Sequence, residues 1–316
     1  MIWATWRMSR PLYIVLLTLA AAVGVWLVIT GARQESAWTA FTALHCSQPG
    51  SNSACMNMAS RYYSASQFST AGVWIGVALP GLLGLVLGTP LVAIEFDQRT
   101  NRLGWTQSIT RTKWLGQKLL VSGSVAVVFS AALVPVLWWW TRAVQRPHMV
   151  NFDFDVSGVV IIAYALFAFA LGALLGTLMK RAGYAFAVGV AVFAVSRFLE
   201  RSYVRVRLVP TTFTRGVIVA PSNAWVVNEG YVPLDRSTPG PGLTWQSGNE
   251  AITRCAARAG GIESKSYIKC AKTLKLHWIN EIQPASHFWS LQWAEVGVFV
   301  AVSAALLTLT VLTIRR

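Results

Sequence analysis

The chain has 316 residues, 54% of them hydrophobic and 12% charged, with a mean hydropathy of +0.50. That composition excludes an ordinary soluble domain and fits an integral membrane protein. A formal net charge of +15 would suggest a nucleic-acid partner in a soluble protein. Here the basic residues flank apolar runs or sit in one long loop, so membrane orientation and anionic lipid account for them, and no nucleic-acid partner is expected.

Met1 to Arg10 reads as a short interfacial segment, with Ile2, Trp3 and Trp6 beside Arg7 and Arg10. It lacks the pattern of a cleaved signal peptide, so the apolar run over about 12–30 is expected to be a retained first span, with Pro11 in its first turn. Residues 31–69 are polar. The second span is expected over about 70–94. It carries Gly72 and Gly76, then Gly84 and Gly88, two spacings that permit close helix approach, and Pro80, which should kink it. A basic loop follows over 95–118. The third span, about 119–140, ends in Trp138, Trp139 and Trp140, which read as an interfacial belt.

A polar link with Arg142, Arg146, Asp153 and Asp155 leads to a fourth span over about 156–179, with Gly172 and Gly176 again spaced for packing. Lys180 and Arg181 form the only polar turn before a fifth span, about 182–198, which makes the two antiparallel neighbours. Residues 200–288 are rich in proline and mixed in charge. A segment of that length is expected to be functional or to form a small domain. The last span is expected over about 289–314.

With six spans both termini lie on one side of the membrane. That side carries Arg7, Arg10, Arg99, Arg102, Arg111, Lys113, Lys118, Lys180, Arg181, Arg315 and Arg316, against Arg33, Arg61, Arg142 and Arg146 in the short loops opposite. The excess places the termini in the cytoplasm of a multi-pass protein of the cell membrane; the long 200–288 loop is discounted because long loops weigh little on orientation. All four cysteines then fall outside, in an oxidising setting. Three pairings are possible. Cys46–Cys55 and Cys255–Cys270 are favoured because each closes a short segment.

Nothing marks an active site. There is no P-loop, no H-E-x-x-H, no nucleophile elbow and no carboxylate pair, and His45, His148, His277 and His287 are scattered. No cofactor or metal is expected, and the chain reads as a non-enzyme. Glu295, about two turns into the last span, is a candidate intramembrane acid, because a carboxylate there is costly unless it is used. The bland alternative is hydration at the outer interface or pairing with an outer-loop arginine.

The loop EFDQRTNRLGWTQSITRTKWLGQK mixes charge with large apolar residues, as a segment lying in the headgroup layer does. Glu95 ends one span, Thr100 follows, Arg111 closes a polar turn and Lys118 opens the next span. That order resembles the loop between the second and third spans of ABC-2 type transporter permeases. Arg99 stands where that family usually has glycine, and Ser108 where proline is frequent. The segment 283–295, QPASHFWSLQWAE, resembles the approach to the last span in actinobacterial-like members with a long outer loop.

The resemblance implies an all-α polytopic protein of six transmembrane helices with the ABC-2 permease fold. It implies an exporter subunit, paired with a second permease copy or paralogue in membrane lipid. The loop would be a coupling element that docks a separate cytoplasmic ABC ATPase, which performs the ATP hydrolysis. Glu95, Thr100, Arg102, Trp105, Arg111 and Lys118 are the candidate coupling residues. The rival readings are a membrane sensor or scaffold acting through the 200–288 loop, and an ion-coupled carrier using Glu295.

Overall fold

The computed structural model describes residues 2–43, 53–97, 110–144, 149, 151–215, 223–233, 245–259, 269–270 and 273–315. Among them are six helices long and apolar enough to cross a membrane. The chain divides into two compact units: Met1–Arg146, Phe152–Tyr203 and Leu291–Arg316 form the first, Pro147–Asn151 and Val204–Ser290 the second.

In the first unit the helices run well past the apolar stretches. The first span lies within a helix of 42 residues, Ile2–Ala43, that also takes in the amino-terminal segment. At 1.5 Å per residue such a helix is about twice the thickness of a hydrocarbon core. The second span, Ser53–Gly88, runs through Pro80 and breaks at Thr89, directly ahead of Pro90, before resuming as Pro90–Asp97. The residue before a proline resists helical geometry. Thr89 softens the break by donating from both its backbone N–H and its hydroxyl to the Leu85 carbonyl, at 2.9 and 2.8 Å. The third span is Arg111–Ala143, begun by Thr110, whose hydroxyl accepts from the Lys113 N–H. A short helix, Asn151–Val156, precedes the fourth span, Val160–Met179. Lys180, in a left-handed conformation, turns the chain directly into the fifth span, Ala182–Leu199, as the two-residue polar turn requires. A π-helical turn, Glu200–Val204, follows, and the sixth span lies within Phe288–Arg315.

The fourth span is the axis of this unit. It is apolar on every face, and its residues from Val160 to Thr177 are largely buried. The second span lies against it through paired small residues. A Cβ placed on Gly84 would come within 2.3 Å of the Ala165 carbonyl oxygen, and one on Gly88 within 2.3 Å of the Phe169 carbonyl oxygen. From the other side, a Cβ on Gly176 would meet the Thr89 carbonyl oxygen at 2.4 Å. The Gly84/Gly88 and Gly172/Gly176 spacings therefore pack against each other within one chain.

Trp140 does not belong to an interfacial belt. Trp140 is fully buried and donates from Nε1 to the Thr30 hydroxyl at 3.3 Å. Its ring fills the space above Gly72 and contacts Gly31, plugging the third span between the first two. Only Trp139 is well exposed, and Trp138 lies under the Arg142 guanidinium. An indole carries too much apolar surface to leave outside when small residues open a slot for it.

The second unit, within the long segment that the sequence left unassigned, contains an antiparallel sheet of three strands in the order β1-β3-β2. The strands are β1, Thr212–Arg215; β2, Trp225–Pro233; and β3, Leu276–Gln283. Tyr231 and Trp278, a cross-strand pair, meet edge to face at 4.9 Å. The helix Trp245–Ala259 packs on β2 and is tied by the Cys255–Cys270 disulfide. So small a sheet buries little apolar surface, and a covalent link offsets that deficit.

The glycine contacts give a direct test. Gly84→Ala should lower the thermal unfolding temperature of the detergent-purified protein by several degrees, since overpacking costs about 1–3 kcal/mol. Gly24→Ala, where nothing lies within 4 Å, should leave it unchanged or raise it slightly.

Candidate functional site

At one end of the first unit the chain buries an ion cluster. Arg197 closes the fifth span and is 9% exposed. Its Nη1 donates to Glu200 Oε2 at 2.6 Å and to Glu295 Oε1 at 3.0 Å, and its Nη2 donates to Asp155 Oδ1 at 2.9 Å. The Tyr164 hydroxyl is placed between Asp155 Oδ1, at 3.1 Å, and Glu295 Oε1. The guanidinium also stacks on the Tyr164 ring, 3.5 Å from its centroid. Asp155, Glu200 and Glu295 are 2%, 5% and 0% exposed. One cation thus joins the short helix before the fourth span, the end of the fifth and the beginning of the sixth, with Tyr164 of the fourth beneath it.

Gln292, fully buried one turn before Glu295, reinforces the same junction. Its Oε1 accepts from the Val160 N–H at 3.0 Å and its Nε2 donates to the Phe154 carbonyl at 3.1 Å. The fourth span has no cap from its own Val159. The sixth span supplies one instead, satisfying an amide that would otherwise be lost in a dry environment. A Cβ on Gly158 would lie 2.3 Å from this Gln292 oxygen.

Of the residues singled out by sequence, Glu295 is therefore the one placed at a dense polar centre. Its arginine comes from the fifth span, not from an outer loop, and burial rules out free hydration. The roles of Arg197, Glu200, Asp155 and Tyr164 escaped the sequence reading, which put Asp153 and Asp155 in a polar link. The available signal was the Arg197–Glu200 spacing at a span end, level with the acids that begin the next spans.

Of the coupling candidates, only Lys118 has a described side chain, and it lies toward the other end of the unit. Thr100, Arg102 and Trp105 are outside the described residues. Glu95 falls in the helix Pro90–Asp97 and Arg111 opens the third span, but the placement of their side chains is likewise outside what is described. Lys118 is placed: its Nζ donates to the Leu91 carbonyl at 3.4 Å and lies 4.4 Å above the Trp114 ring. Below it, Val92, Trp114, Leu115 and Ile314 form a buried cluster. The ends of the second, third and sixth spans thus converge where the chain over 98–109 leaves them. Cys46 is outside the described residues; Cys55 is disulfide-bonded, and Cys255 is joined to Cys270. The described residues hold no group of three or more His, Cys, Asp or Glu able to bind a metal ion.

Removing the cation alone should be worse than removing the cluster. Arg197→Met leaves buried carboxylates without their guanidinium and should destabilise by about 3–5 kcal/mol, read as a large fall in unfolding temperature. Adding Asp155→Asn and Glu295→Gln to that variant should restore most of the loss. Equal stability of Arg197→Met and wild type would show that the cluster holds nothing together.

Residues 17–205, more than half of the chain, match the family described as ABC-2 membrane transporter related. The match takes in the first five spans and the loop between the second and third. No curated protein and no solved structure matched the chain. The chain therefore belongs to the ABC-2 membrane transporter related family, as a multi-pass permease-type subunit of an ABC transporter.

Proposed function

We propose that the chain is the membrane-spanning subunit of an ABC exporter, driven by a separate cytoplasmic ATPase that docks on the 95–118 segment. The observation that carries this is the convergence of three helix ends, through Val92, Trp114, Leu115 and Ile314, at the base of that segment within the family's matched region. Helix ends packed in this way move together, so a force applied to the loop is delivered to the second, third and sixth spans at once. The basic residues on this side, Lys113, Lys118, Lys180, Arg181, Arg315 and Arg316 among them, support a cytoplasmic placement in the cell membrane. Two such subunits, as copies or paralogues, would enclose the path. Export is the direction assigned, from the resemblance to ABC-2 permeases.

Affinity-tagged protein purified from its native membrane should bring down an ATPase carrying a Walker-A sequence. Glu95→Lys and Arg111→Glu should each reduce cargo transport more than tenfold while leaving the amount of folded permease unchanged, because like-charge contact at an interface costs several kcal/mol. Normal transport in both variants, or labelling of a cysteine at position 105 from outside intact cells, would overturn the docking assignment.

A further inference from the structure

We propose that the groove between the first and second spans is a binding site for an anionic membrane phospholipid, held with its headgroup on Arg33. The groove has a volume of about 350 Å³ and is lined by Trp26, Ile29, Thr30 and Arg33 from one helix and Ser64, Ala65 and Phe68 from the other. The four residues of the first span sit at spacings of three, four and seven, a single stripe along one face. Trp140 stands behind them, hydrogen-bonded to Thr30.

The chemistry of the groove is graded along its length. The helices run antiparallel, so Arg33 and Ser64 lie toward one end and Trp26, Ile29 and Phe68 toward the other. The change falls where the composition changes: the apolar run of the first span ends near Thr30, and that of the second begins near Thr70. An occupant therefore meets hydrocarbon-facing side chains at one end and a cation with a hydroxyl in the headgroup layer at the other. That matches a lipid chain joined to a phosphate.

The sign of the charge selects among lipids. Arg33 is exposed and has no ion pair among the described residues, and the same holds for Arg61. Arg61 is three residues before Ser64 and so on the same helix face, one turn farther toward water. The Arg33 guanidinium in the lining of an apolar slot, with Arg61 one helical turn beyond Ser64, favours an anionic headgroup over a zwitterionic one. The site is independent of the ATPase-docking proposal, since it requires only that these helices cross a bilayer.

The test is native mass spectrometry of the full chain in detergent, titrated with phosphatidylglycerol or phosphatidylcholine. Wild type should retain phosphatidylglycerol preferentially. Arg33→Gln should reduce that preference about fivefold, as expected for one cation near an anionic surface, and Arg33→Gln with Arg61→Gln should abolish it. Arg33→Lys should keep most of it. Ala65→Trp, which fills the slot without touching a charge, should displace both lipids. Equal retention of the two lipids, unaffected by Arg33→Gln, would identify ordinary annular lipid and overturn the proposal. So would displacement by excess inorganic phosphate alone, which marks a free-anion site. If Ala65→Trp instead splits a dimer while bound phosphatidylglycerol is unchanged, the groove belongs to a second copy and the lipid assignment falls.

Discussion

The backbone approach of the second and fourth spans is the contact around which the first unit is assembled. Lipid chains are as apolar as leucine, so burial of apolar side chains does not by itself draw helices together in a bilayer. What draws them together is close packing, and closeness here is set by Gly84, Gly88, Gly172 and Gly176, whose missing side chains let carbonyl oxygens of one helix rest on the other. Once those two helices are joined, the fourth span offers its remaining faces to the third, fifth and sixth. Phe167, Tyr164 and Phe299 pack as a ring cluster on one of them. Trp140 of the third span closes the space left over Gly72.

The same scarcity of water explains the polar features. A buried guanidinium among carboxylates adds little net stability, because the desolvation of each charge offsets their attraction. It does specify geometry. Arg197 accepts only an arrangement in which Asp155, Glu200 and Glu295 are all within reach of its planar fork. Gln292 acts likewise, since both ends of its amide must find backbone partners that belong to a different helix. The apolar contacts could tolerate a sliding of the sixth span along the fourth; the polar ones could not.

The elements carried by composition were legible in the sequence: the number of apolar helices, the turn at Lys180–Arg181 and the close-packing glycines. Helix ends were less so, since a helix outlasts the apolar stretch that signals it. The first span continues to Ala43 through residues too polar to register as membrane-spanning. Side-chain destinations were least legible. Trp138, Trp139 and Trp140 are identical in type and adjacent, yet only the third is fully buried, its ring over Gly72 of another helix. Asp155 read only as part of a polar link because the arginine that meets it is 42 residues away. The small sheet escaped because its strands are separated by long segments and its central strand is the last in sequence.

The sixth span links the two ends of the first unit. Glu295 and Ile314 belong to a single uninterrupted helix, about 28 Å apart at 1.5 Å per residue. Glu295 is fastened to the ion cluster and Ile314 to the cluster beneath Lys118. That helix contains no proline, the commonest cause of a sharp kink. The second span differs, for it is broken at Thr89, near the end that carries the loop. Under the docking proposed above, a push reaching these helix ends would meet a break at Thr89 in the second span and none in the sixth, which leads to Arg197 and its carboxylates.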